Sequence, residues 1–308
     1  MIQIRLGNRI IKFFLITLLF VFIITGCIDN TNVESITNKE RQKALSTINI
    51  INDFVKNVAG DKIEAVSLLP VGSDPHIYEP VPRDVQQIVD SDIVFYNGFN
   101  LEKWLEELLE NAGGNRQSFQ VAKGLEPRKN ARGDPDPHLW MDPVYAIKYV
   151  ENIRDVLSEF DQENANYYKK NAEKYIAELK ELDKWIRERV EEIPKQNRKL
   201  VTTHDAYAYF GERYGFKVVG SIWGITTEDE PSAQEIARLV DVIKSENVQT
   251  VFVETTINPK LMERVAKDAG ANLGKPLYGD SLGLPGSGAD TYISMIKTNV
   301  NNIVEGLK

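Results

Sequence analysis

The sequence predicts an α/β fold with mostly parallel sheets flanked by helices. Short apolar runs alternate with helical patterns along most of the chain, and this alternation is typical of βαβ units. Between two such regions, residues 161–194 carry apolar side chains at steps of three and four, which indicates one long amphipathic helix. The sequence contains no repeat between the two regions and no glycine-rich phosphate-binding motif, so a nucleotide site is not favoured.

The long helix admits two interpretations. Asp161 is suited to cap its N-terminus, and Pro194 is suited to end it. The roughly 32 residues between them would form a helix about 48 Å long. Such a helix could link two lobes, or it could lie on the surface of one large domain. Its length alone leaves both interpretations open.

The remaining elements follow from apolar runs and amphipathic patterns. We predict strands at residues 44–48, 63–69, 93–96, 118–121, 199–202, 217–219, 250–253 and 276–278. We predict helices at residues 51–58, 83–89, 101–111, 146–160, 206–214, 233–245, 259–268 and 290–307.

The overall composition is that of a globular protein, with 42% hydrophobic and 27% charged residues in a chain of 308. The formal net charge is −8, and it becomes more negative if the basic N-terminus is removed. Proteins that bind nucleic acid need basic surfaces, so this composition argues against a nucleic-acid partner.

The N-terminal segment has the features of a secretion signal. Three basic residues precede an apolar run at 13–24, which is too short to span a membrane comfortably. Residues 24–27 (ITGC) resemble a bacterial lipoprotein cleavage site, which implies a signal peptide at 1–26 and a lipidated Cys27. An uncleaved anchor helix is the alternative, and both place the body of the protein outside the cytoplasmic membrane. The segment 27–42 is mostly polar and is predicted to be a tether.

The chain has 3 histidines, and each lies beside an aspartate in a predicted loop: Asp74-Pro75-His76, Asp136-Pro137-His138 and His204-Asp205. His76 and His204 follow predicted strands, and Asp280 follows another. Because the carboxyl ends of parallel strands border the binding crevice of an open α/β sheet, these side chains could meet there. Three imidazoles and one carboxylate suit a divalent transition metal. Their spacing in the sequence does not show whether they meet.

Four segments resemble the metal-binding solute receptors of zinc and manganese ABC importers, which are lipoproteins with a TroA-like fold. They are residues 71–80 (VGSDPHIYEP), 136–143 (DPHLWMDP), 203–210 (THDAYAYF) and 278–283 (YGDSLG). The resemblance extends over nearly the whole mature chain, from about residue 46 to residue 307.

The resemblance implies a ligand set of His76, His138, His204 and Asp280. It also implies two αβ lobes at residues 43–160 and 195–308, joined by the single long helix 161–194. The first two ligands would then come from the first lobe and the last two from the second.

The resemblance further implies a receptor that is not an enzyme. Four protein donors complete a tetrahedral shell and leave no position for an activated water. The expected partners are an ABC permease and its ATPase, with the membrane reached through the lipid anchor and the receptor itself a monomer. The aspartates beside the histidines, Asp205 among them, would orient the imidazoles, and Asp142 and Glu254 are further candidates for this role. Solvated or capping carboxylates are the alternative for each.

Two features of the sequence point to different metals. A histidine at position 204, where many manganese receptors carry glutamate, favours zinc. The segment His-Ile-Tyr-Glu-Pro at 76–80 resembles the manganese branch of the family. Residues 123–135 also lack the histidine-rich loop of many zinc receptors. We favour zinc, with manganese as the alternative.

Two other functions remain as alternatives. A zinc-dependent hydrolase would need an open metal position and a carboxylate base, for which Glu79 or Glu254 could serve. A surface adhesin lipoprotein is the second alternative, although no repeat or long apolar patch supports it.

Overall fold

The computed structural model describes residues 41–114 and 116–308. The predicted signal peptide (1–26), Cys27 and most of the predicted tether (27–42) lie outside the described residues. Within the described part, no helix has both the length and the apolar character needed to cross a membrane.

The first half of the described chain forms a four-stranded parallel sheet. Its strands are β1 (Lys43–Ser46), β2 (Glu64–Ser67), β3 (Ile93–Tyr96) and β4 (Gln117–Gln120), in the spatial order β2-β1-β3-β4. Ala44 in β1 pairs with Ala65 in β2 and with Ile93 in β3. The central strands β1 and β3 are mostly buried, which is typical of parallel strands packed beneath helices.

The second half contains two shorter parallel pairs. β5 (Lys199–Thr202) pairs with β6 (Lys217–Ser221), and β7 (Thr250–Val251) pairs with β8 (Asn272–Leu273). The Phe252 amide donates a 2.9 Å hydrogen bond to the Val201 carbonyl, so the two pairs adjoin through β5 and β7. A single parallel bridge between Glu254 and Leu277 follows β7.

Nine α-helices lie within residues 41–114 and 116–308. They are α1 (Asn49–Ala59), α2 (Pro82–Val89), α3 (Leu105–Ala112), α4 (Pro143–Phe160), α5 (Ala165–Val190), α6 (Ala208–Tyr214), α7 (Ala233–Ser245), α8 (Lys260–Ala269) and α9 (Tyr292–Leu307). Helix α5 packs against α4, α1 and α9, and α7 packs against α8. The α/β fold class with parallel sheets is confirmed.

The predicted long helix exists but is shorter than expected. α5 has 26 residues, which corresponds to about 39 Å. Asp161 does not cap it directly, because α4 ends there and a 3₁₀ turn at Gln162–Asn164 precedes α5. The Asp161 carboxylate instead accepts a 2.5 Å hydrogen bond from the Tyr168 hydroxyl, which stabilises the corner between α4 and α5.

The buried face of α5 is the predicted apolar stripe. Its buried residues are Tyr168, Ala172, Tyr175, Leu179, Leu182, Ile186 and Val190. Asp53 of α1 accepts hydrogen bonds from the Tyr175 hydroxyl of α5 (3.2 Å) and from the Tyr292 amide of α9 (3.0 Å). Three helices from distant parts of the sequence are therefore joined at one carboxylate.

One predicted strand is wrong. Residues 276–278 form no strand beyond the single bridge at Leu277, whereas the two-residue strand β8 (Asn272–Leu273) was not predicted. Pro276 has no amide to donate, which limits ladder formation there. Both residues of β8 are exposed, so no apolar pattern marks that strand.

Candidate metal centre

The structure brings together His76, His138, His204 and Asp280. Each offers one donor atom, and these atoms all lie within 4.8 Å of one another. Nε2 of His138 lies 3.2 Å from Nε2 of His76 and 3.2 Å from Nε2 of His204. The Asp280 carboxylate lies 3.7 Å from Nε2 of His76, 3.4 Å from that of His138 and 3.2 Å from that of His204.

These separations fit a single tetrahedral ion. Donor atoms about 2.0–2.1 Å from a central zinc ion lie roughly 3.3–3.4 Å from one another at the tetrahedral angle. Five of the six pairs are separated by 3.2–3.7 Å, which brackets that value, and all donor atoms lie within 4.8 Å of one another. The four groups could therefore hold one metal ion.

Each donor comes from a loop that follows or precedes a regular element. His76 lies in the β2–α2 loop, and His138 lies just before the 3₁₀ turn Leu139–Met141 that leads into α4. His204 comes two residues after the end of β5, and Asp280 precedes α9. Two donors thus come from the first half of the chain and two from the second, and only His204 lies directly after a strand.

The Asp280 carboxylate is the most unusual group in the site. The residue is 1% exposed, and among the described residues its oxygens have no hydrogen-bond donors other than the imidazoles of His138 and His204. A buried carboxylate without donors is costly unless a positive charge lies beside it. Burial raises the pKa of Asp280, but the charges of His204 and His138 outweigh this effect and hold it well below the usual range. The site therefore holds a negative charge that requires a cation.

The three imidazoles differ in their affinity for protons. Burial lowers the pKa of His138, but the carboxylates of Asp136 and Asp280 outweigh burial and raise it to about 9. Burial likewise opposes the shift of His204, whose pKa Glu254 and Asp280 raise well above its ordinary value. Burial lowers the pKa of His76 to about 3. Protons on His138 and His204 therefore supply the positive charge when no metal is bound.

Two carboxylates contact the outer nitrogens of the imidazoles. Asp136 Oδ1 lies 2.8 Å from Nδ1 of His138, and Glu254 Oε2 lies 2.9 Å from Nδ1 of His204. The other oxygen of Glu254 accepts a 2.8 Å hydrogen bond from the His204 backbone amide. A carboxylate at Nδ1 fixes the proton on that nitrogen and leaves the Nε2 lone pair for a metal. Glu254 thus lies where its predicted orienting role requires, as does Asp136, one of the aspartates beside a histidine.

Asp142 and Asp205 do not take the predicted orienting role. The Asp142 carboxylate accepts a 2.8 Å hydrogen bond from the Val144 amide at the start of α4 and lies 3.0 Å from Nε of Arg213. It is a helix cap, because an aspartate before Pro143 is well placed to satisfy the free amides of the first turn. The Asp205 carboxylate has a buried Oδ1 that accepts no hydrogen bond among the described residues, and it contacts no imidazole there.

Sequence reasoning missed two asparagines that hold the donor loops. Asn97 donates a 3.0 Å hydrogen bond to the Pro137 carbonyl, next to His138, and accepts one of 2.5 Å from the Tyr149 hydroxyl. Asn49 donates a 2.9 Å bond to the Ser281 hydroxyl, next to Asp280. Both asparagines are buried at the edge of apolar segments. Buried polar groups are almost always hydrogen-bonded, so an asparagine at the end of an apolar segment indicates a side chain that binds a neighbouring loop.

Trp140 closes one side of the centre. Its side chain is fully buried, and the indole packs edge-on against the His138 ring with 5.2 Å between ring centroids. The indole nitrogen donates a 3.0 Å hydrogen bond to the Gly279 carbonyl. This tryptophan therefore packs against His138 and ties the His138 loop to the Asp280 loop.

Known proteins share both the sequence and the fold. Residues 45–306 match the family model for the ZnuA family, described as the periplasmic component A of the zinc-uptake complex. The manganese-binding lipoprotein MntA of Halalkalibacterium halodurans is 41% identical over 269 residues, which cover 87% of this chain and 89% of that protein. The manganese ABC transporter substrate-binding lipoprotein PsaA of Streptococcus pneumoniae (strain TIGR4) is 35% identical over an alignment of 313 positions, gaps included, which covers 98% of this chain and 99% of that protein.

Solved structures agree with these relatives. The periplasmic zinc-binding protein TroA from Treponema pallidum superposes with a TM-score of 0.83 at 28% identity, covering 87% of this chain and 99% of that chain. A manganese-bound periplasmic metal-binding protein from Candidatus Liberibacter asiaticus gives a TM-score of 0.78 at 27% identity, covering 87% and 100%. The TroA-like fold expected from the sequence is confirmed. The chain belongs to the ZnuA/TroA family of metal-binding receptors, the substrate-binding components of ABC importers.

Proposed function

We propose that this receptor binds one divalent transition-metal ion through His76, His138, His204 and Asp280 and delivers it to an ABC permease driven by its ATPase. The observation that carries the proposal is the Asp280 carboxylate, which is buried, faces three imidazole Nε2 atoms and has no other hydrogen-bond donor among the described residues. A divalent cation at that point satisfies all four groups at once.

The arrangement favours capture over catalysis. Four protein donors fill a tetrahedral shell, whereas a hydrolytic zinc site keeps one position for water. Neither carboxylate considered as a base for a hydrolase is suitably placed. One oxygen of Glu254 accepts a hydrogen bond from the His204 backbone amide and the other lies 2.9 Å from Nδ1 of His204, and Glu79 is exposed. The receptor function therefore accounts for the geometry without an enzymatic step.

Zinc is the ion that the donor set favours, because three imidazoles with one carboxylate suit a borderline metal and zinc stands above manganese in the Irving–Williams order. Manganese is the second candidate, because the relatives MntA and PsaA are named as manganese proteins. We propose that both ions occupy the same four-residue centre and that zinc binds more tightly in vitro.

We also propose the remaining predicted organisation. Residues 43–160 and 195–308 act as two lobes, with α5 as the link between them. This division is supported by the origin of the donors, since His76 and His138 precede α5 and the other two follow it. Lipidation of Cys27 would hold the receptor, as a monomer, on the outer side of the cytoplasmic membrane, which is consistent with the lipoprotein names of the relatives.

Elemental analysis of the purified chain, prepared without a polyhistidine tag, tests the proposal. One ion per chain is expected after incubation with zinc or manganese, and zinc should displace manganese when both are present. The Asp280→Asn variant should retain no ion at concentrations that saturate the wild type. Asp290→Asn changes an exposed carboxylate near the start of α9 and is the matched control. Full metal content in Asp280→Asn, or in a His76→Ala/His204→Ala double variant, would contradict the proposal.

A further inference from the structure

His76 is held differently from the other two imidazoles. Nδ1 of His138 and Nδ1 of His204 each lie within 2.9 Å of a carboxylate oxygen. Nδ1 of His76 is buried, has no hydrogen-bond partner and has no carboxylate oxygen within 4.0 Å among the described residues, which is the difference from His204. No carboxylate therefore fixes the orientation of this ring, and the position of His76 depends on the backbone of its loop.

That loop, residues 68–81, has no regular structure and is fastened near His76 through Asp74. One oxygen of Asp74 accepts a 2.9 Å hydrogen bond from the His76 backbone amide. The other oxygen accepts a 2.6 Å hydrogen bond from the hydroxyl of Thr227. Asp74 thus connects the His76 backbone to a side chain more than 150 positions further along the chain.

Thr227 lies in the loop between β6 and α7, residues 222–232, which extends from the same strand pair as the His204 loop. The next residue, Glu228, forms a 2.7 Å ion pair with Lys103. Beside Lys103, the Trp104 indole donates a 2.9 Å hydrogen bond to the Pro75 carbonyl, within the His76 loop. Two successive residues of the 222–232 loop therefore contact the part of the first half that supports His76.

The two contacts are not equal in strength. The side chains of Lys103 and Glu228 are 50% and 35% exposed, so water screens their attraction. The Thr227–Asp74 hydrogen bond is short, partly buried and made to a carboxylate, which is the stronger class of hydrogen bond. Thr227 is accordingly the residue that holds Asp74 in place.

We infer that Thr227 is a positioning residue that keeps His76 in its ligating position through Asp74 and thereby sets the rate at which the bound ion leaves. The inference rests on the proposed function, since it concerns the ion of that centre. His138 and His204 keep their orientation through their own carboxylates. Loss of the Thr227 hydroxyl loosens His76 alone, so the ion dissociates faster while its stoichiometry and the other three donors are unchanged.

The test compares Thr227→Val, which removes the hydroxyl at nearly constant volume, with Thr227→Ser, which restores it. Thr226→Val makes the same chemical change at the adjacent residue and is the matched control. In the metal-free chains, hydrogen exchange should increase in Thr227→Val at residues 70–80 and remain at the wild-type level elsewhere. In zinc-loaded chains, release to excess EDTA should be about tenfold faster or more in Thr227→Val, as expected for the loss of a hydrogen bond to a charged group.

Thr227→Ser and Thr226→Val should release zinc at the wild-type rate, and Glu228→Gln should change the rate by about twofold at most. Equal rates in Thr227→Val and Thr226→Val would overturn the inference. Increased exchange throughout the Thr227→Val chain would also overturn it, because that result means a general loss of structure. If the wild type bound no zinc, the proposed function would fail together with the release argument, while the exchange measurement would still decide whether Thr227 orders the His76 loop.

Discussion

Metal binding to this receptor should release protons. In the metal-free chain the pKa of His138 is raised to about 9, against the effect of burial, by Asp136 and Asp280. The pKa of His204 is also raised well above its ordinary value, whereas burial lowers that of His76 to about 3. At pH 7, therefore, His138 and His204 carry protons that an ion must displace, and His76 does not. We expect about two protons to be released per ion.

The sign of the pH dependence follows from this count. Below pH 9, each decrease in pH makes displacement harder, so affinity should fall by about a hundredfold per pH unit near pH 7 for two protons. Calorimetric titration with zinc in two buffers of different ionisation enthalpy measures the number of protons directly. The Glu254→Gln variant should release fewer, because His204 loses the carboxylate that raises its pKa, whereas Glu246→Gln on the surface should match the wild type. Release of less than about half a proton per ion, or an affinity that is constant between about pH 6 and 8, would refute the reasoning.

Three further outcomes are expected. The metal-free chain should lose roughly 3 kcal/mol of unfolding free energy as the pH rises from about 6.5 to 9. The reason is that the protonated His138 ring, whose pKa is raised, stabilises the fold, and the ring loses its proton over this range. Denaturant titration measures the loss, and the zinc-loaded chain should show none from this group. Asn97→Ala should lower stability by roughly 2–4 kcal/mol in urea, since it leaves Tyr149 and the Pro137 carbonyl unpaired, and exposed Asn301→Ala should have little effect. Metal-free and loaded crystal structures should differ by less than roughly 20° in lobe orientation, because one face of α5 is buried along the length of the helix against α1, α4 and α9, and a wider closure would contradict this.

The four residues that the sequence nominates as donors lie together in the structure, whereas some of the elements around them differ from the prediction. His204 follows the strand that was predicted at 199–202 and found there, so its position at a sheet edge was foreseeable. Asp280 was proposed through a strand at 276–278 that does not form, and the quoted family segment, not the periodicity, supported it. A short motif thus located a side chain whose local structure the apolar pattern described wrongly.

The contacts behind the donors were harder to predict, because a carboxylate next to a histidine in sequence need not face it in space. Asp136 reaches the ring of His138, whereas Asp205 does not reach that of His204. Asp142 was followed by Pro143, a pattern that favours a helix cap, and the structure uses it as one. The role of Thr227 depends on two loops from different halves of the chain, and no local pattern reports such a contact.

All 3 histidines of this chain lie in the one proposed centre, with none elsewhere to obscure it. A nitrogen-15 NMR spectrum of the imidazoles would therefore contain three sets of signals, and all of them would report on the proposed metal centre. The protonation state and metal attachment of each ring could be followed without isotope editing of single residues. The receptor carries its own complete set of reporters for the loading and release of its ion.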